Sequence, residues 1–212
     1  MKTINPDKLG LSKDKLMAME NFFKEKYIKN GKLAGIQTLI ARKGKVVHFE
    51  STGLRDVENN KKIEKDTIFR IYSMTKPITS VALMQLFEQG LFQLADPVGK
   101  FLPEFKNPRV FVSGSYPHFM TRPADREISI RDLLTHTAGL TYGFHYRTNI
   151  DHAYRKVWSG PRGDNTDFSF PPLDLENFSQ SIASLPLEFS PGDKWNYLSL
   201  IHISEPTRRP II

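Results

Sequence analysis

The chain has 212 residues, no cysteine and a formal net charge of +7. The absence of cysteine excludes disulfides, thiolate metal sites and a cysteine nucleophile. Hydrophobic residues make up 39% of the chain and charged residues 25%, which argues against a disordered protein. The basic residues are interspersed with acidic ones, as in residues 56–65, so we expect a mixed-charge surface and no nucleic-acid partner.

The first part of the chain predicts a helix followed by a β-hairpin. Residues 12–29 carry apolar side chains at helical spacing, and Ser12 is suited to cap the N-terminus. Residues 35–42 and 46–49 are typical of two paired strands with Gly44 in the turn between them. A polar turn is predicted over residues 59–62.

Further along, the pattern changes to a strongly apolar helix that follows Ser73 and ends at Gly90. A helix that is apolar around most of its surface is expected in the centre of a protein. Ser129 and Asp132 predict a capping box for a short helix through Thr135, with Gly139 as the stop after it. Residues 107–126 and 141–172 are dense in aromatic residues, proline and glycine, and predict long functional loops.

The N-terminal residues 1–10 contain no apolar run that could form the core of a signal peptide. No stretch of the chain is long and apolar enough to span a bilayer. If Met1 is the true start, we therefore expect a cytoplasmic protein with no membrane partner. Zinc-protease and nucleotide-binding motifs are absent, so we expect no cofactor and no metal. The sequence leaves the oligomeric state open.

The Ser-x-x-Lys pattern, which some serine hydrolases use as nucleophile and base, occurs at Ser12/Lys15 and at Ser73/Lys76. Chance alone gives about one match in a chain of this length. Ser12 begins a surface helix and Lys15 lies among other charged residues, so helix capping explains Ser12. The first copy is therefore interpreted as structural.

The second copy lies where a nucleophile could be activated. Residues three apart share one face of a helix, so Lys76 can reach the Ser73 hydroxyl. Burial disfavours the charged form of a lysine and turns it into a base. The helix N-terminus and the Ser73 backbone N–H would stabilise an oxyanion. In the alternative interpretation Ser73 caps the helix and Lys76 extends to solvent. The local sequence does not decide between the two.

Four segments resemble successive landmarks of the β-lactamase-related serine hydrolases, the family of class C β-lactamases and related carboxylesterases. They occur in the family's order and at similar spacing, over roughly residues 12–197. The segments are Ser73-Met-Thr-Lys76-Pro77, Leu94-Ala-Asp-Pro-Val98, Ile130-Arg-Asp-Leu-Leu-Thr-His-Thr-Ala-Gly-Leu140 and Ser190-Pro-Gly-Asp-Lys-Trp-Asn-Tyr197.

The resemblance implies an α+β fold of the β-lactamase/transpeptidase type, with an antiparallel sheet flanked by helices plus a helical domain. Ser73 is implied as the nucleophile, Lys76 as its base and Tyr197 as the residue that relays the proton. Tyr197 could instead be a core aromatic residue with a satisfied hydroxyl. His136 is interpreted as a structural residue at a helix end.

The resemblance stops after Tyr197, before the family's Lys/His-Thr-Gly motif, so we expect residues 1–197 to be the N-terminal part of one domain with an incomplete sheet. Residues 198–212 resemble the in-frame translation of a sequencing-library adapter and are predicted to be a non-native tail. The alternative is a native C-terminus.

For the intact protein, the resemblance implies a serine hydrolase that acts on a small-molecule ester or amide through an acyl-serine intermediate. A cytoplasmic location favours an esterase or small-amide hydrolase over an enzyme that destroys antibiotics. The truncated chain itself is expected to be inactive. The alternative is a non-catalytic protein whose aromatic loops, at residues 116–119 and 144–154, bind a ligand by stacking.

Overall fold

The computed structural model describes residues 2–159 and 175–197. These residues form two compact units, which divide between Arg70 and Ile71. The predicted tail at 198–212 and the last part of the predicted loop at 141–172 lie outside the described residues. No helix in the described ranges is long and apolar enough to cross a membrane.

The helix predicted over residues 12–29 lies in the N-terminal part of the first unit. A 3-10 turn over Pro6–Leu9 precedes α1, which spans Lys13–Phe23 and continues into a π-helical turn over Lys24–Ile28. The Ser12 hydroxyl accepts a hydrogen bond from the Lys15 backbone N–H at 3.3 Å. The capping interpretation of the first Ser-x-x-Lys copy is therefore confirmed.

An antiparallel sheet in the order β1-β2-β3 completes the first unit, with β1 at Gly35–Arg42, β2 at Lys45–Asp56 and β3 at Lys61–Lys62. Lys43 and Gly44 form the turn between β1 and β2, and both have positive φ angles, 49° and 71°. Positive φ at both central residues is the geometry that matches strand twist in two-residue hairpins. The predicted hairpin is confirmed, but part of the predicted polar turn is strand β3.

The described residues of the second unit form four α-helices and a β-hairpin. Their bounds are α2 Thr75–Glu88, β4 Arg109–Ser115, β5 His118–Pro123, α3 Ile130–Thr135, α4 Asn149–Ser159 and α5 Leu175–Ala183. Single 3-10 turns lie at Tyr72–Met74, Val98–Lys100, Pro103–Phe105 and Gly143–His145. The two units together confirm the predicted α+β fold class, with antiparallel sheets and helices.

The prediction of a loop over residues 107–126 was wrong, because most of this stretch is the β4–β5 hairpin. Val110 of β4 is buried, and the Phe111 and Phe119 rings meet edge to face across the strands at 5.8 Å. Cross-strand aromatic pairs stabilise a sheet. The proline and glycine residues suggested a loop, although they lie mainly around the turn and at the strand end.

The predicted loop over residues 141–172 was also wrong at residues 149–159, which form α4. Thr148 and Asp151 cap this helix reciprocally. The Asp151 N–H donates to Thr148 Oγ1 at 3.1 Å, and the Thr148 N–H donates to Asp151 Oδ2 at 3.3 Å. This pair is a capping box with aspartate in place of the usual glutamate, the same pattern recognised at Ser129.

Helix α2 is apolar as predicted, but it is not buried on all sides within its unit. Leu83, Leu86 and Phe87 pack against the core of the second unit. Ile78 and Val81 are each 62% exposed there, and Lys76 is the one buried residue of the helix. The periodicity of a sequence identifies an apolar helix. The neighbouring segments in the fold determine which sides of that helix are buried.

Helix α3 has the predicted capping box at Ser129 and Asp132. The helix ends at Thr135, as predicted, and His136, in the left-handed conformation with φ 61°, takes the C-cap position that was expected to need the stop at Gly139. Gly139 serves a different purpose, because a Cβ atom there would collide with the Phe189 backbone oxygen. The interpretation of His136 as a helix-end residue is confirmed.

Candidate active site

Ser73 lies in the 3-10 turn that leads directly into α2 and is accessible to solvent. Its predecessor Tyr72 has a φ of 46°, in the left-handed region that residues other than glycine rarely occupy. Backbone strain of this kind occurs at functional sites, where the surrounding structure maintains it. The serine hydroxyl is thus exposed beside a helix N-terminus.

Lys76 lies in the first turn of α2 and is 7% exposed. Its Nζ atom donates a hydrogen bond to Ser73 Oγ at 3.4 Å. The N-cap position is held by Met74, and no side chain caps the helix. The alternative in which Ser73 caps α2 while Lys76 extends to solvent is therefore wrong.

Tyr197 meets both residues although it is far from them in the sequence. The Lys76 Nζ atom lies 4.9 Å from the centre of the Tyr197 ring. A hydrogen bond with Ser73 lowers the pKa of the Tyr197 phenol, burial opposes this shift, and a hydrogen bond and the charge of Lys76 lower the pKa further. The structure thus brings Ser73, Lys76 and Tyr197 together, as the resemblance implied.

Two further rings enclose this group, and sequence reasoning assigned neither of them to the site. Tyr142 stacks on Tyr197 with the ring planes 5° apart and the centres separated by 6.1 Å. The His136 ring lies 4.9 Å from that of Tyr197. Burial lowers the pKa of His136, and the Lys76 charge lowers it further, so the imidazole stays neutral at neutral pH. No sequence signal pointed to Tyr142, whereas the family landmark at 130–140 contains His136.

The ion pairs among the described residues do not include Lys76. Its ammonium instead faces aromatic rings, because Nζ also lies 5.9 Å from the centre of the Tyr142 ring. Within residues 2–159 and 175–197 no cluster of acidic and histidine side chains could hold a metal ion.

A serine hydroxyl at a helix N-terminus, with a lysine one turn on and a tyrosine phenol beside both, is an arrangement that could support acyl transfer to serine. A family profile described as Beta-lactamase matches residues 19–200. The chain belongs to this family.

Among curated proteins, Protein Rv1367c of Mycobacterium tuberculosis is 36% identical over 173 residues, which cover 82% of this chain and 40% of that protein. Esterase EstB of Burkholderia gladioli is 31% identical over 195 residues, which cover 92% of this chain and 45% of the esterase. The chain therefore spans less than half the length of these relatives.

The solved structures that resemble this chain agree with this assignment. EstCE1, a hydrolase with promiscuous acyltransferase activity, superposes with a TM-score of 0.69 at 28% identity, over 89% of this chain and 45% of EstCE1. The simvastatin synthase LovD of Aspergillus terreus superposes with a TM-score of 0.68 at 26% identity, over 91% of this chain and 46% of LovD. The β-lactamase/transpeptidase-like fold is thereby confirmed.

Proposed function

We propose that the full-length protein, meaning a chain extended to the length of these relatives, is a serine hydrolase that forms an acyl ester on Ser73. The observation that supports this most strongly is the hydrogen bond of 3.4 Å from buried Lys76 to the Ser73 hydroxyl. The Tyr197 phenol shares hydrogen bonds with both residues. Nucleophile, base and proton relay are thus in mutual contact.

In the first step Ser73 Oγ attacks the substrate carbonyl carbon while neutral Lys76 accepts the hydroxyl proton. The carbonyl oxygen becomes an oxyanion, which the Ser73 backbone N–H and the N-terminal dipole of α2 stabilise. The bond to the leaving group then breaks, and Tyr197 transfers a proton to the departing oxygen or nitrogen. Water next attacks the acyl ester by the reverse proton path and releases the acid.

The proposed substrates are small esters, with small amides as the alternative. EstB is named an esterase and EstCE1 a hydrolase, which supports ester chemistry in this branch of the family. The Tyr142 and Tyr197 rings beside Lys76 present an apolar and uncharged surface to the substrate. Such a surface suits a substrate that carries no charge next to the bond that is cleaved.

The experiment compares the full-length protein on a chromogenic short-chain ester and on a chromogenic cephalosporin. We expect ester turnover that Ser73→Ala abolishes and that Ser12→Ala leaves unchanged. Ser12 is the matched control because it begins the first Ser-x-x-Lys copy and only caps α1. A fluorophosphonate probe should label the parent protein and the Ser12 variant but not the Ser73 variant. Ester turnover at background level, or labelling that survives Ser73→Ala, would refute the proposal.

A further inference from the structure

The peptide that carries Tyr197 is fixed by its neighbour Asn196. Residues 194–197 belong to no helix or strand, so the backbone ladder of a regular element does not place them. The Asn196 N–H donates to the His136 carbonyl oxygen at 2.9 Å. Asn196 Nδ2 donates to the Leu140 carbonyl oxygen at 3.3 Å. These bonds join Asn196, the residue before Tyr197, to the end of α3 and to the segment that follows it.

The other contacts of the Asn196 side chain are to charged residues. Its Oδ1 atom accepts a hydrogen bond from Arg147 Nη2 at 2.7 Å, and its Nδ2 atom donates to Glu188 Oε2 at 2.7 Å. Asn196 itself is 6% exposed. Hydrogen bonds to ionised groups are shorter and stronger than those between neutral groups. The amide is therefore held firmly on both sides.

Glu188 uses its two carboxylate oxygens on two different segments. Oε1 accepts from the Thr148 hydroxyl at 2.7 Å, at the start of α4, and Oε2 accepts from Asn196. Burial and the charge of Asp151 raise the pKa of Glu188 above its ordinary value, and the Thr148 hydrogen bond and the Arg147 charge offset this only in part. A half-buried carboxylate thus links the N-terminus of α4 to the residue before Tyr197.

We propose that Glu188 is a positioning residue, which acts through Asn196 to hold the Tyr197 phenol at Ser73 and Lys76. This inference rests on the proposed function, because it assumes that Tyr197 takes part in proton transfer. The Tyr197 ring also packs on Tyr142 and His136, so loss of Glu188 shifts the phenol but does not release the ring. A shift of about 1 Å in a reacting group can lower a rate by on the order of 100-fold.

Asn196 and Thr148 both donate a hydrogen bond to Glu188, and their chemistry predicts which replacements of Glu188 preserve these two bonds. Asn196 Nδ2 can only donate, so residue 188 must offer it an oxygen. The Thr148 hydroxyl can turn to accept a hydrogen bond, so it tolerates an amide nitrogen. Glu188→Gln therefore keeps the link to Asn196, whereas Glu188→Leu removes it.

The test measures kcat and KM for the chromogenic ester in the full-length protein, with either tyrosine or phenylalanine at position 197. We expect Glu188→Leu to lower kcat by about 10- to 100-fold with little change in KM. Glu188→Gln should remain within about threefold of the parent. In the Tyr197→Phe background, Glu188→Leu should lower kcat by less than about twofold, since residues that act as a unit are not additive.

Glu104→Leu is the matched control, because this half-buried carboxylate also accepts a hydroxyl hydrogen bond, from Ser179 at 3.0 Å. Its kcat should equal that of the parent. Should Glu188→Leu fail to fold by circular dichroism, Asn196→Ala replaces it in the same cycle with the same expected loss. If Tyr197→Phe lowered kcat severely and the Glu188 or Asn196 variant still lowered kcat by its full factor in that background, this inference alone would be overturned. A loss of kcat in Glu104→Leu equal to that in Glu188→Leu would also overturn this inference alone. If Tyr197→Phe left turnover intact, the proposed proton relay would fail and this inference with it.

Discussion

At the scale of single residues, the proposed chemistry depends on whether Lys76 can exist without its proton. The side chain is buried, its Nζ atom contacts Ser73 Oγ, and its surroundings are the rings of Tyr142 and Tyr197. If Lys76 were only a structural cation, a residue that always keeps its positive charge could replace it. Arginine tests this directly, because it remains protonated at any usable pH.

We expect Lys76→Arg and Lys76→Ala to lose ester turnover to a similar extent in the full-length protein. Removal of a general base lowers rates by on the order of 10²–10⁴-fold, so both variants should fall by at least about 100-fold. Lys15→Arg, in the copy of the motif that only caps a helix, should retain parental turnover. Near-parental activity of Lys76→Arg, with the fold intact by circular dichroism, would show that Lys76 is not the base.

A second residue-scale prediction concerns stability at acid pH. Asp132 is buried, and burial raises its pKa, but hydrogen bonds from Arg126, Ser129 and Thr137 outweigh that effect and hold the pKa at about 2. Because this value lies below the ordinary one, the stabilisation is present above about pH 4 and is lost as the pH falls toward 2. The contribution at neutral pH is about 2 kcal/mol.

Asp132→Asn should therefore lower the free energy of unfolding at pH 7 by about 2 kcal/mol or more and flatten its decline between pH 4 and pH 2. Denaturant titrations of the full-length protein at several pH values measure both effects. Asp125→Asn is the control, since Asp125 pairs with Arg122 on the surface, where ion pairs contribute little. An Asp132 variant as stable and as acid-sensitive as the parent would contradict the assignment.

At the scale of elements, local sequence rules account for the ends of the helices and the tight turn of the first sheet. Ser12, Ser129 and Thr148 each accept a backbone hydrogen bond at a helix N-terminus. Lys43 and Gly44 supply the two positive φ angles of the β1–β2 turn. The β1–β2 pair also needs close backbone contact at Gly53, which has a φ of 90° and faces the Ala34 carbonyl oxygen.

Two glycine substitutions separate backbone conformation from steric contact in this hairpin. Gly44→Ala should cost about 1 kcal/mol, because φ is positive but no atom lies within 4 Å of the added Cβ. Gly53→Ala should cost about 3 kcal/mol or more, since its Cβ would also meet the Ala34 backbone. Denaturant midpoints of the two variants in the full-length protein measure the difference. Equal destabilisation would show that the strand relaxes around Gly53.

At the scale of the whole molecule, the chain spans less than half the length of its curated relatives. The described residues leave apolar side chains of α2 exposed within the second unit, including Ile78 and Val81. Strand β1 has one neighbour among the described strands, and β3 has only 2 residues. Exposed apolar surface and unpaired strand edges favour association between chains.

We expect residues 1–212 expressed alone to be aggregated or only partly ordered, and to lack ester turnover. Size-exclusion chromatography and thermal melting monitored by circular dichroism test the first expectation, and the chromogenic ester tests the second. The full-length protein serves as the comparison and should melt cooperatively. A soluble monomer of the 212 residues with one sharp transition would refute the first expectation.

The sequence by itself determined the features that depend on neighbouring residues. Helix periodicity, the Ser12 and Ser129 caps, and the Lys43–Gly44 turn follow from interactions within a few residues, and the structure has all of them. The contact of Ser73 with Lys76 follows for the same reason, since residues three apart share a helix face. The family resemblance added Tyr197, which no local rule would have selected.

Only the tertiary structure decided which distant segments meet. Tyr142 stacks on Tyr197, and Glu188 reaches Asn196, because the end of α3, the start of α4 and the segment after α5 converge there. The β4–β5 hairpin was missed because its pairing depends on contact between strands, and its proline and glycine residues suggested a loop. The sequence also predicted that α2 is buried on most sides, and this prediction failed for a related reason. An apolar side chain favours burial wherever a partner exists, but the sequence of a helix does not specify the partner.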